Sequence, residues 1–345
     1  MKTILSVIGA RPQFIKAAPL SRALRQRQGL REITAHTGQH FDREMSDVFF
    51  EELGIPRPEH HLDIHGGAHA EMTGRMMIAL EKLSYEVKPD VVLVYGDTNS
   101  TLAGALVAAK MFVPIAHVEA GLRSFRPMPE EINRVLADRV SRWLFCPTPA
   151  AVDNLAAEGI RKGVHLVGDV MYDTTLLMVE RARAHSTILA RLGLQPGKFD
   201  LATVHRAENT DTPEALAAVV AYLSEQAREY PVMLPIHPRT RAAAARSGID
   251  LSALRIIEPV GYLDMTALLA GCRRVLTDSG GLQKEAYFHR KPCVTLRDAT
   301  EWVETVEAGW NRLWHGPGYA ERRDIDVYGD GHAADLIADI LAREA

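Results

Sequence analysis

The feature that most constrains this chain is a regular alternation of short β-branched runs with longer amphipathic stretches. Runs such as VVLVY are apolar throughout, as expected for strands buried on both faces of a parallel sheet. The stretches between them repeat apolar residues at helical spacing, and this alternation predicts a doubly wound parallel sheet. In the first half, the predicted strands are 3–8, 32–37, 91–95, 113–118 and 144–147, and the predicted helices are 14–27, 41–53, 71–87, 101–111 and 130–140.

A second series of the same kind follows the break QPGK at residues 195–198. Its predicted strands are 199–204, 232–236, 255–257, 275–277 and 293–296. We therefore predict an α/β protein of two Rossmann-like, doubly wound domains, 1–169 and 170–332. The closing segment, 333–345, carries a last predicted helix that would pack back onto the first domain.

Composition narrows the class of protein. A chain of 345 residues is long enough for two domains, and 47% apolar with 24% charged residues is typical of a soluble globular protein. The net charge of -4 argues against a general nucleic-acid binder. Three cysteines without paired metal spacing fit a reducing cytosol. The N-terminal apolar run is too short for a signal peptide and no run reaches membrane-spanning length, so we expect a cytoplasmic protein.

Carboxylates follow two neighbouring strands and open the next helix. Asp97 comes just past the run VVLVY, Glu119 ends the run that contains His117, and Glu130 begins a helical pattern after Pro129. Ligands and catalytic groups of open parallel sheets collect at such strand ends. Three acids on one edge would shift each other's proton affinities, which suits proton transfer. The alternative is that Asp97 and Glu130 only cap helices.

Two turns have the chemistry of an anion site. In VLTDSGGLQKEAYF a strand leads through Gly280 and Gly281 into a helix, where free backbone N–H groups can approach a phosphate. Glu285, about one turn later, could accept hydrogen bonds from a ribose diol. In GARPQFIKAAPL, Arg11 and Lys16 follow the first strand at a helix start. The alternatives are a tight capped turn and a solvated basic face.

Histidines fall into two groups. His205, in LATVHRAENTD, follows a predicted strand, and His237 follows the next one, so both could border one cleft and face a phosphate or sugar. A satisfied structural histidine is the alternative. A second group at 60, 61, 65 and 69 is interrupted by Gly66 and Gly67, and no further ligand set accompanies it, so we expect no metal site.

Together these residues resemble a known family, the non-hydrolysing UDP-N-acetylglucosamine 2-epimerases. The likeness covers nearly the whole chain, and its motifs are highly specific as a set. They are GARPQFIKAAP, TGQHFD, YGDTNSTLAG, HVEAGLRS, PEEINR, HRAEN, LTDSGGLQKEA, RDATEW and YGDG. The resemblance implies a two-domain glycosyltransferase-B-type fold with the sugar nucleotide in the interdomain cleft, and a homodimer.

The resemblance also implies roles for individual residues. Asp97, Glu119 and Glu130 match catalytic carboxylates, and His205 matches an active-site group. Positions that match UDP- or substrate-binding groups are Arg11, Lys16, Arg206, Asp278, Ser279, Gly280, Gly281 and Glu285. Positions that contact a second, activating UDP-sugar in several members are Gln39, His40, Arg75, Arg206 and His237.

The chemistry implied is elimination and re-addition of UDP. The proton on carbon 2 of the sugar is hardly acidic, and the chain has no G-x-G-x-x-G nicotinamide motif to oxidise a neighbouring carbon. Departure of UDP from carbon 1 builds positive charge that acidifies this proton, so no cofactor is expected. Two acid/base groups are needed, one for each face of the ring, and the sequence leaves open which carboxylate serves which face.

The substrate and the class of activity also stay open. HRAEN, LDIHGG and RSFRPMPEE are features of a subgroup that includes epimerases of UDP-2,3-diacetamido-2,3-dideoxyglucuronic acid in O-antigen pathways, and Arg123 or Arg126 could meet that carboxylate. UDP-N-acetylglucosamine is the leading substrate, as a precursor of bacterial surface polysaccharide. A hydrolysing epimerase, a glycosyltransferase of the same fold and a non-catalytic sugar-nucleotide sensor are the alternatives.

Overall fold

The structure, a computed structural model, describes residues 1–39, 50–125 and 127–345. These residues form two compact units. The first unit is Met1–Leu176 together with Asp326–Ala345, and the second is Leu177–Ile325. The domain boundaries predicted from the sequence, 169/170 and 332/333, each lie seven residues from the boundaries of the two units in the structure.

In the part of the first unit that the structure describes, a seven-stranded, all-parallel sheet has the order β3-β2-β1-β4-β5-β6-β7. The inner strands are apolar, and every residue of β4 is buried. Its strands are β1 (Lys2–Ile8), β2 (Leu30–His36), β3 (His60–His61), β4 (Val91–Tyr95), β5 (Ile115–Val118), β6 (Trp143–Cys146) and β7 (Val164–Leu166). Its helices are α1 (Arg11–Gln26), α2 (His69–Val87), α3 (Asn99–Lys110), α4 (Pro129–Val140) and α5 (Pro149–Ala157).

The second unit has a six-stranded parallel sheet of order β10-β9-β8-β11-β12-β13. Counted within the unit, this is the 3-2-1-4-5-6 order of dinucleotide-binding folds. Its strands are β8 (Asp200–Thr203), β9 (Val232–Pro235), β10 (Arg255–Ile257), β11 (Val275–Thr277), β12 (Cys293–Thr295) and β13 (Asn311–Leu313). Its helices are α7 (Ile188–Arg191), α8 (Ala207–Thr210), α9 (Pro213–Gln226), α10 (Pro238–Ser247), α11 (Tyr262–Gly271), α12 (Gly280–Phe288) and α13 (Val303–Glu307).

A long helix, α6 (Val170–His185), runs from the first unit into the second, and the chain returns to the first unit through a 3₁₀ turn, Asp326–Tyr328. The last helix, α14 (Ala333–Glu344), packs on α1. Asp173 of α6 accepts a hydrogen bond from the backbone N–H of Ala334 at 2.8 Å, which caps the start of α14. Arg27 pairs with Asp335 and Asp339 of the same helix.

The predicted α/β class with two doubly wound parallel sheets is confirmed. The sequence missed β3, β7 and β13. The predicted helix 41–53 lies largely outside the described residues. Among the described residues, no helix combines the length and apolarity that a membrane crossing requires.

Candidate active site

Each sheet has its topological switch point between its first and fourth strands, where ligands of doubly wound folds bind. In the first unit the loops that follow β1 and β4 lie there, and they carry Arg11 and Asp97. In the second unit the loops that follow β8 and β11 lie there, and they carry His205, Arg206 and Asp278. The candidate residues of both halves thus lie where parallel-sheet topology puts binding groups.

In the first unit, Asp97 and Glu130 line one cavity of about 240 Å³. Asp97 stands at the end of β4 and Glu130 in the first turn of α4, so elements far apart in sequence place the two carboxylates on the same cavity. Gln39, His69 and Asn133 line it as well. The cavity is therefore rich in oxygen and nitrogen groups that can hydrogen-bond a sugar.

Glu119 lies beside this cavity in a strained conformation. Its φ is +69°, in the left-handed region that non-glycine residues rarely adopt, at a typical cost of about 1–3 kcal/mol. Its carboxylate contacts Gly96, since a Cβ built on Gly96 would lie 3.1 Å from Glu119 Oε2. Asp97 is the next residue, so the first unit brings all three predicted carboxylates into one neighbourhood.

Lys16 supplies a positive charge next to these carboxylates. Its Nζ forms an ion pair with Glu119, and both side chains are nearly buried. Burial favours the neutral amine, but the charges of Glu119 and then Asp97 outweigh it, so the pKa of Lys16 is raised above its usual range. Lys16 is therefore a fixed positive charge between the carboxylates.

Arg134 was missed by the sequence reasoning. Its guanidinium pairs with Asp97 and, at 3.1 Å, with Glu131. Burial raises the pKa of Glu131, but hydrogen bonds from Ser124 and the charge of Arg134 reverse the shift, and the net pKa is lowered. The position of Arg134 one helical turn after Glu130, in PEEINR, was the available signal.

Arg123 does not face a substrate, contrary to the sequence expectation. Its side chain is only 2% exposed and forms ion pairs with Asp138 at 2.8 Å and Glu158 at 2.6 Å. These bonds hold the pKa of Arg123 above its usual range even though burial opposes the charge. Arg123 is thus part of a buried ionic network.

Two glutamines hold the loops of the cavity, and only Gln39 was predicted as a site residue. Gln13 is buried, accepts hydrogen bonds from the backbone of Gly9 and Ala10, and donates to the carbonyl of Tyr95. Gln39 accepts from the backbone N–H and the hydroxyl of Ser100, at the start of α3. Both side chains therefore fix strand-end loops by bonds to backbone groups.

The remaining residues predicted for the first unit are Arg11, Arg75, His40 and Arg126. Arg11 begins α1 and is exposed. Arg75, on α2, is exposed and donates to the carbonyls of His65 and Gly66. His40 and Arg126 lie outside the described residues. His60 and His61 form β3, and no group of three or more metal-ligating side chains occurs within the described ranges.

In the second unit, Asp278 organises the loop that carries His205. It is fully buried, and its Oδ2 accepts hydrogen bonds from the backbone N–H groups of His205 and Arg206, both at 2.9 Å, and from Asn209 at 3.1 Å. Here the structure differs from the prediction of a direct substrate contact. Asp278 instead stabilises the loop by accepting hydrogen bonds from its backbone.

His205 and His237 lie side by side, with ring centroids 5.9 Å apart. The side chain of His205 is 41% exposed, and its Nδ1 lies 3.3 Å from Asp278. Burial lowers the pKa of His205, and although Asp278 opposes this, the charges of His237, Arg206 and Arg239 also lower it. The neutral imidazole is thus favoured, and its neighbours make the region electropositive.

The start of α12 has the form of an anion site. Ser279 caps the helix by accepting from the backbone N–H of Leu282, and the Gly280 carbonyl is held by Trp302 Nε1 at 2.8 Å. A Cβ built on Gly281 would meet nothing within 4 Å. Glu285 is half-buried one turn further along. The space beside Gly281 is therefore open, whereas the Glu301 carboxylate lies against Gly280 with Arg206 nearby.

The arrangement favours proton transfer and anion binding. The first unit gathers carboxylates whose charges are held by Lys16 and Arg134, and the second unit offers a helix N-terminus beside Arg206 and two imidazoles. Proton donors and acceptors in one unit and an anion-binding turn in the other are both groups that a reaction on a sugar nucleotide needs.

Comparison with known proteins gives consistent matches. Residues 22–342 match a family described as UDP-N-acetylglucosamine 2-epimerase. A UDP-2,3-diacetamido-2,3-dideoxy-D-glucuronate 2-epimerase of Pseudomonas aeruginosa is 53% identical over 99% of this chain and 99% of its own. A UDP-N-acetylglucosamine 2-epimerase homolog of Methanococcus maripaludis is 50% identical over 90% of this chain and 88% of its own.

Solved structures match as well. The Methanocaldococcus jannaschii UDP-GlcNAc 2-epimerase, crystallised with UDP-GlcNAc and UDP, has a TM-score of 0.85 at 41% identity, and the match covers 99% of both chains. The glycosyltransferase-B type of two Rossmann-like units, predicted above, is the fold of these structures and of this chain.

Proposed function

The chain belongs to the UDP-N-acetylglucosamine 2-epimerase family, and from this premise we propose that it inverts carbon 2 of a UDP-2-acetamido sugar. The leading reaction is the interconversion of UDP-GlcNAc and UDP-ManNAc. It proceeds by anti elimination of UDP to a 2-acetamidoglucal, followed by re-addition of UDP after a proton returns to the opposite face. The observation that carries this proposal is that Asp97 and Glu130 line one cavity and that Glu119 lies against Gly96, the residue before Asp97.

In this proposal the first unit binds the sugar and carries out the proton transfers. One carboxylate removes the proton from carbon 2, and another delivers a proton to the opposite face, so the two groups act on different sides of the ring. Lys16 and Arg134 form ion pairs with Glu119 and Asp97 and so fix the positions of these carboxylates. Arg11, an exposed cation at the start of α1, contacts the pyrophosphate in this proposal.

In this proposal the second unit binds the nucleotide. The backbone N–H groups of Gly280 and Gly281 bind phosphate oxygens beside Ser279, and Arg206 adds a positive charge that stabilises UDP as it departs. Glu285 accepts hydrogen bonds from the ribose hydroxyls. His205, favoured as a neutral ring, contacts the phosphate or sugar with His237 next to it.

Solvent exchange tests the proposed reaction. The protein is incubated with UDP-GlcNAc in deuterated water and the sugar is followed by NMR. We expect deuterium at carbon 2 in UDP-GlcNAc and UDP-ManNAc with UDP still attached. Release of free ManNAc would instead identify a hydrolysing epimerase, and absence of exchange with every UDP-2-acetamido sugar tested would refute the proposed activity.

A second substrate is favoured by one observation. The relative that matches 99% of this chain at 53% identity is named for UDP-2,3-diacetamido-2,3-dideoxy-D-glucuronate. The same elimination applies to that sugar, since its carbon 2 also bears an acetamido group. Assays with both UDP-sugars at equal concentration decide between them through the ratio of their kcat/KM values.

Regulation and assembly form the remaining part of the proposal. A second UDP-sugar molecule would activate the enzyme through Gln39, His40, Arg75, Arg206 and His237, and sigmoidal initial rates that become hyperbolic in an Arg75→Ala variant would support this.

The protein would act as a cytoplasmic homodimer and supply polysaccharide synthesis. Exposed apolar side chains on α2 and α4 support the dimer.

A further inference from the structure

His117 is a buried group that the proposed chemistry does not use. It lies in β5, two residues before Glu119, and its side chain is 0% exposed. Its Nδ1 lies 2.7 Å from Asp138 Oδ1, and its Nε2 lies 2.7 Å from the carbonyl oxygen of Gly96. An ionised carboxylate and a backbone carbonyl both accept and neither donates. Both ring nitrogens must therefore carry a hydrogen if both bonds are made.

The surroundings balance a positive charge on this ring. Asp138 is fully buried in α4, and its second oxygen accepts from Gly121 N at 3.1 Å and from Arg123 at 2.8 Å. Arg123 is paired in turn with Glu158. The His117 ring and the Arg123 guanidinium thus both contact Asp138, and Arg123 also contacts Glu158. Burial raises the pKa of Asp138, but His117 and Arg123 outweigh it and the net pKa is lowered, so Asp138 stays ionised.

The carbonyl that His117 holds belongs to the turn that carries Asp97. Gly96 has a φ of +60°, and its own N–H donates to the carbonyl of Val118 at 3.0 Å. The turn is therefore fixed to β5 by one backbone bond and by the His117 ring. Glu119, which follows Val118, contacts Gly96 from the same side. One imidazole thus connects the segments that carry two of the three carboxylates.

We propose that His117, held as an imidazolium by Asp138, is a positioning residue that sets the separation of the Asp97 and Glu119 carboxylates through its bond to the Gly96 carbonyl. This inference rests on the proposed function for its kinetic consequence but not for the charge of the ring. Since catalysis depends on carboxylates at fixed positions on the two faces of one sugar ring, a shift of the Gly96–Asp97 turn slows chemistry and leaves nucleotide binding intact.

The charge of the ring is tested by NMR of protein labelled with ¹⁵N-histidine, in which His117 is assigned by comparison with His117→Asn. Both ring nitrogens are expected to show imidazolium shifts at neutral pH. A ring with one unprotonated nitrogen would overturn the proposal, whatever reaction the protein catalyses.

The positioning role is tested by two variants that each keep one half of the ring's bonding. The amide of His117→Gln reaches as far as Nε2 and keeps a donor toward Gly96, whereas that of His117→Asn reaches only as far as Nδ1 and keeps a donor toward Asp138. We expect kcat to fall by about 100-fold in the Asn variant, as for a misplaced catalytic group, and by about 10-fold or less in the Gln variant. KM and the Kd of UDP should stay within about threefold in both.

Leu144→Ala is the matched control, because Leu144 is buried and is the register partner of His117 in β6. It lowers stability at the same place without touching Gly96, so its kcat should stay near that of the wild type. Equal loss of kcat in the Gln and Asn variants, or a loss that follows Tm alone as in Leu144→Ala, would contradict a positioning role. If the wild-type protein epimerises no UDP-sugar, the proposed function fails and the NMR result still stands.

Discussion

At the scale of single residues, the three carboxylates differ in the charges around them. Glu119 is paired with Lys16 and Asp97 with Arg134, whereas Glu130 has no ion-pair partner among the described residues and lines the cavity directly. The two paired groups each lie beside a positive charge. Glu130 can move a proton to a bound sugar without breaking an ion pair, so we assign it the role of proton donor.

Neutral isosteres test this division. Asp97→Asn, Glu119→Gln and Glu130→Gln should each lower kcat by about 10²–10⁴, the usual contribution of a general acid or base, while the Kd of UDP changes little. Asp153→Asn, an exposed carboxylate of α5, is the control and should keep full activity. Near-normal kcat in all three variants would remove the catalytic role of this cluster.

Asp173 makes stability depend on pH. Burial raises its pKa to about 6, although the N–H groups of Ala334 and Ala333 oppose the shift. Because the folded-state pKa lies above the usual 3.8, the folded protein binds this proton more tightly than the unfolded chain. Its contribution to stability is therefore fully present at low pH and is lost as the pH rises through about 6.

Asp173→Asn should remove this dependence, since the amide oxygen can still cap α14 without carrying a charge. The free energy of unfolding of the variant minus that of the wild type should increase by up to about 3 kcal/mol when the pH is raised from 4 to 8. Urea unfolding of both proteins at the two pH values measures this. Asp153→Asn should show no such difference, and a variant that loses stability equally at both pH values would contradict the assignment.

At the scale of elements, the inner strands and the edge strand β10 were predicted, whereas the other three edge strands were not. Strand β4 was predicted at 91–95, where it is found, because five buried apolar residues in succession are typical of a central parallel strand. The missed strands β3, β7 and β13 are all edge strands of two or three residues. Their pairing is decided by the neighbouring strand and not by an apolar run of their own.

The residues of the candidate site also fall into those that the sequence could predict and those that it could not. Asp97 and Glu119 could be predicted because a carboxylate directly after a buried strand must lie at the carboxyl edge of the sheet. Arg123 was assigned wrongly because sequence cannot show that Asp138 and Glu158, 15 and 35 residues away, take up its charge. Gln13 and Arg134 were missed because their roles depend on tertiary hydrogen bonds to distant loops.

The start of α12 contains a glycine that the fold does not require. Gly281 lies in the first turn of the helix without a positive φ, and a Cβ there would meet nothing within 4 Å. Alanine in such a position normally stabilises a helix by roughly 0.5–1 kcal/mol. A phosphate that approaches the backbone closely, as in the proposed function, would account for the absence of a side chain.

Gly281→Ala should raise Tm slightly and weaken UDP binding, by about tenfold or more, because the methyl group occupies space needed by the phosphates. Gly74→Ala in α2 is the matched control, since its Cβ also meets nothing within 4 Å. It should raise Tm without changing the affinity. Calorimetric titration with UDP measures both, and unchanged binding in Gly281→Ala would place the phosphates elsewhere.

At the scale of the whole molecule, the first unit exposes apolar side chains on adjacent helices. Ile78 and Tyr85 are seven residues apart on α2, so they lie on one stripe, and both are more than half exposed. Ile132, Leu136 and Val140 form a second stripe at four-residue spacing on α4. Helix α3 packs against both α2 and α4, so the two stripes belong to helices on either side of it.

Apolar patches of this extent usually mark an interface on a soluble protein. A second copy of the chain fits the proposed homodimer, because a two-fold contact would bury the same stripes on both protomers. Leu136→Glu places a charge at the centre of the α4 stripe and should convert a dimer into a monomer at micromolar concentration, as measured by light scattering after size-exclusion chromatography.

Leu166→Glu is the control for this change, since Leu166 is an exposed leucine, like Leu136, but lies on the edge strand β7. That variant should remain dimeric. A wild-type protein that is monomeric at high concentration would exclude the homodimer and leave the face of α2 and α4 for another partner. If Leu166→Glu separates the protomers and Leu136→Glu does not, the interface includes β7 instead, because a buried charge without a partner strongly destabilises the contact in which it lies.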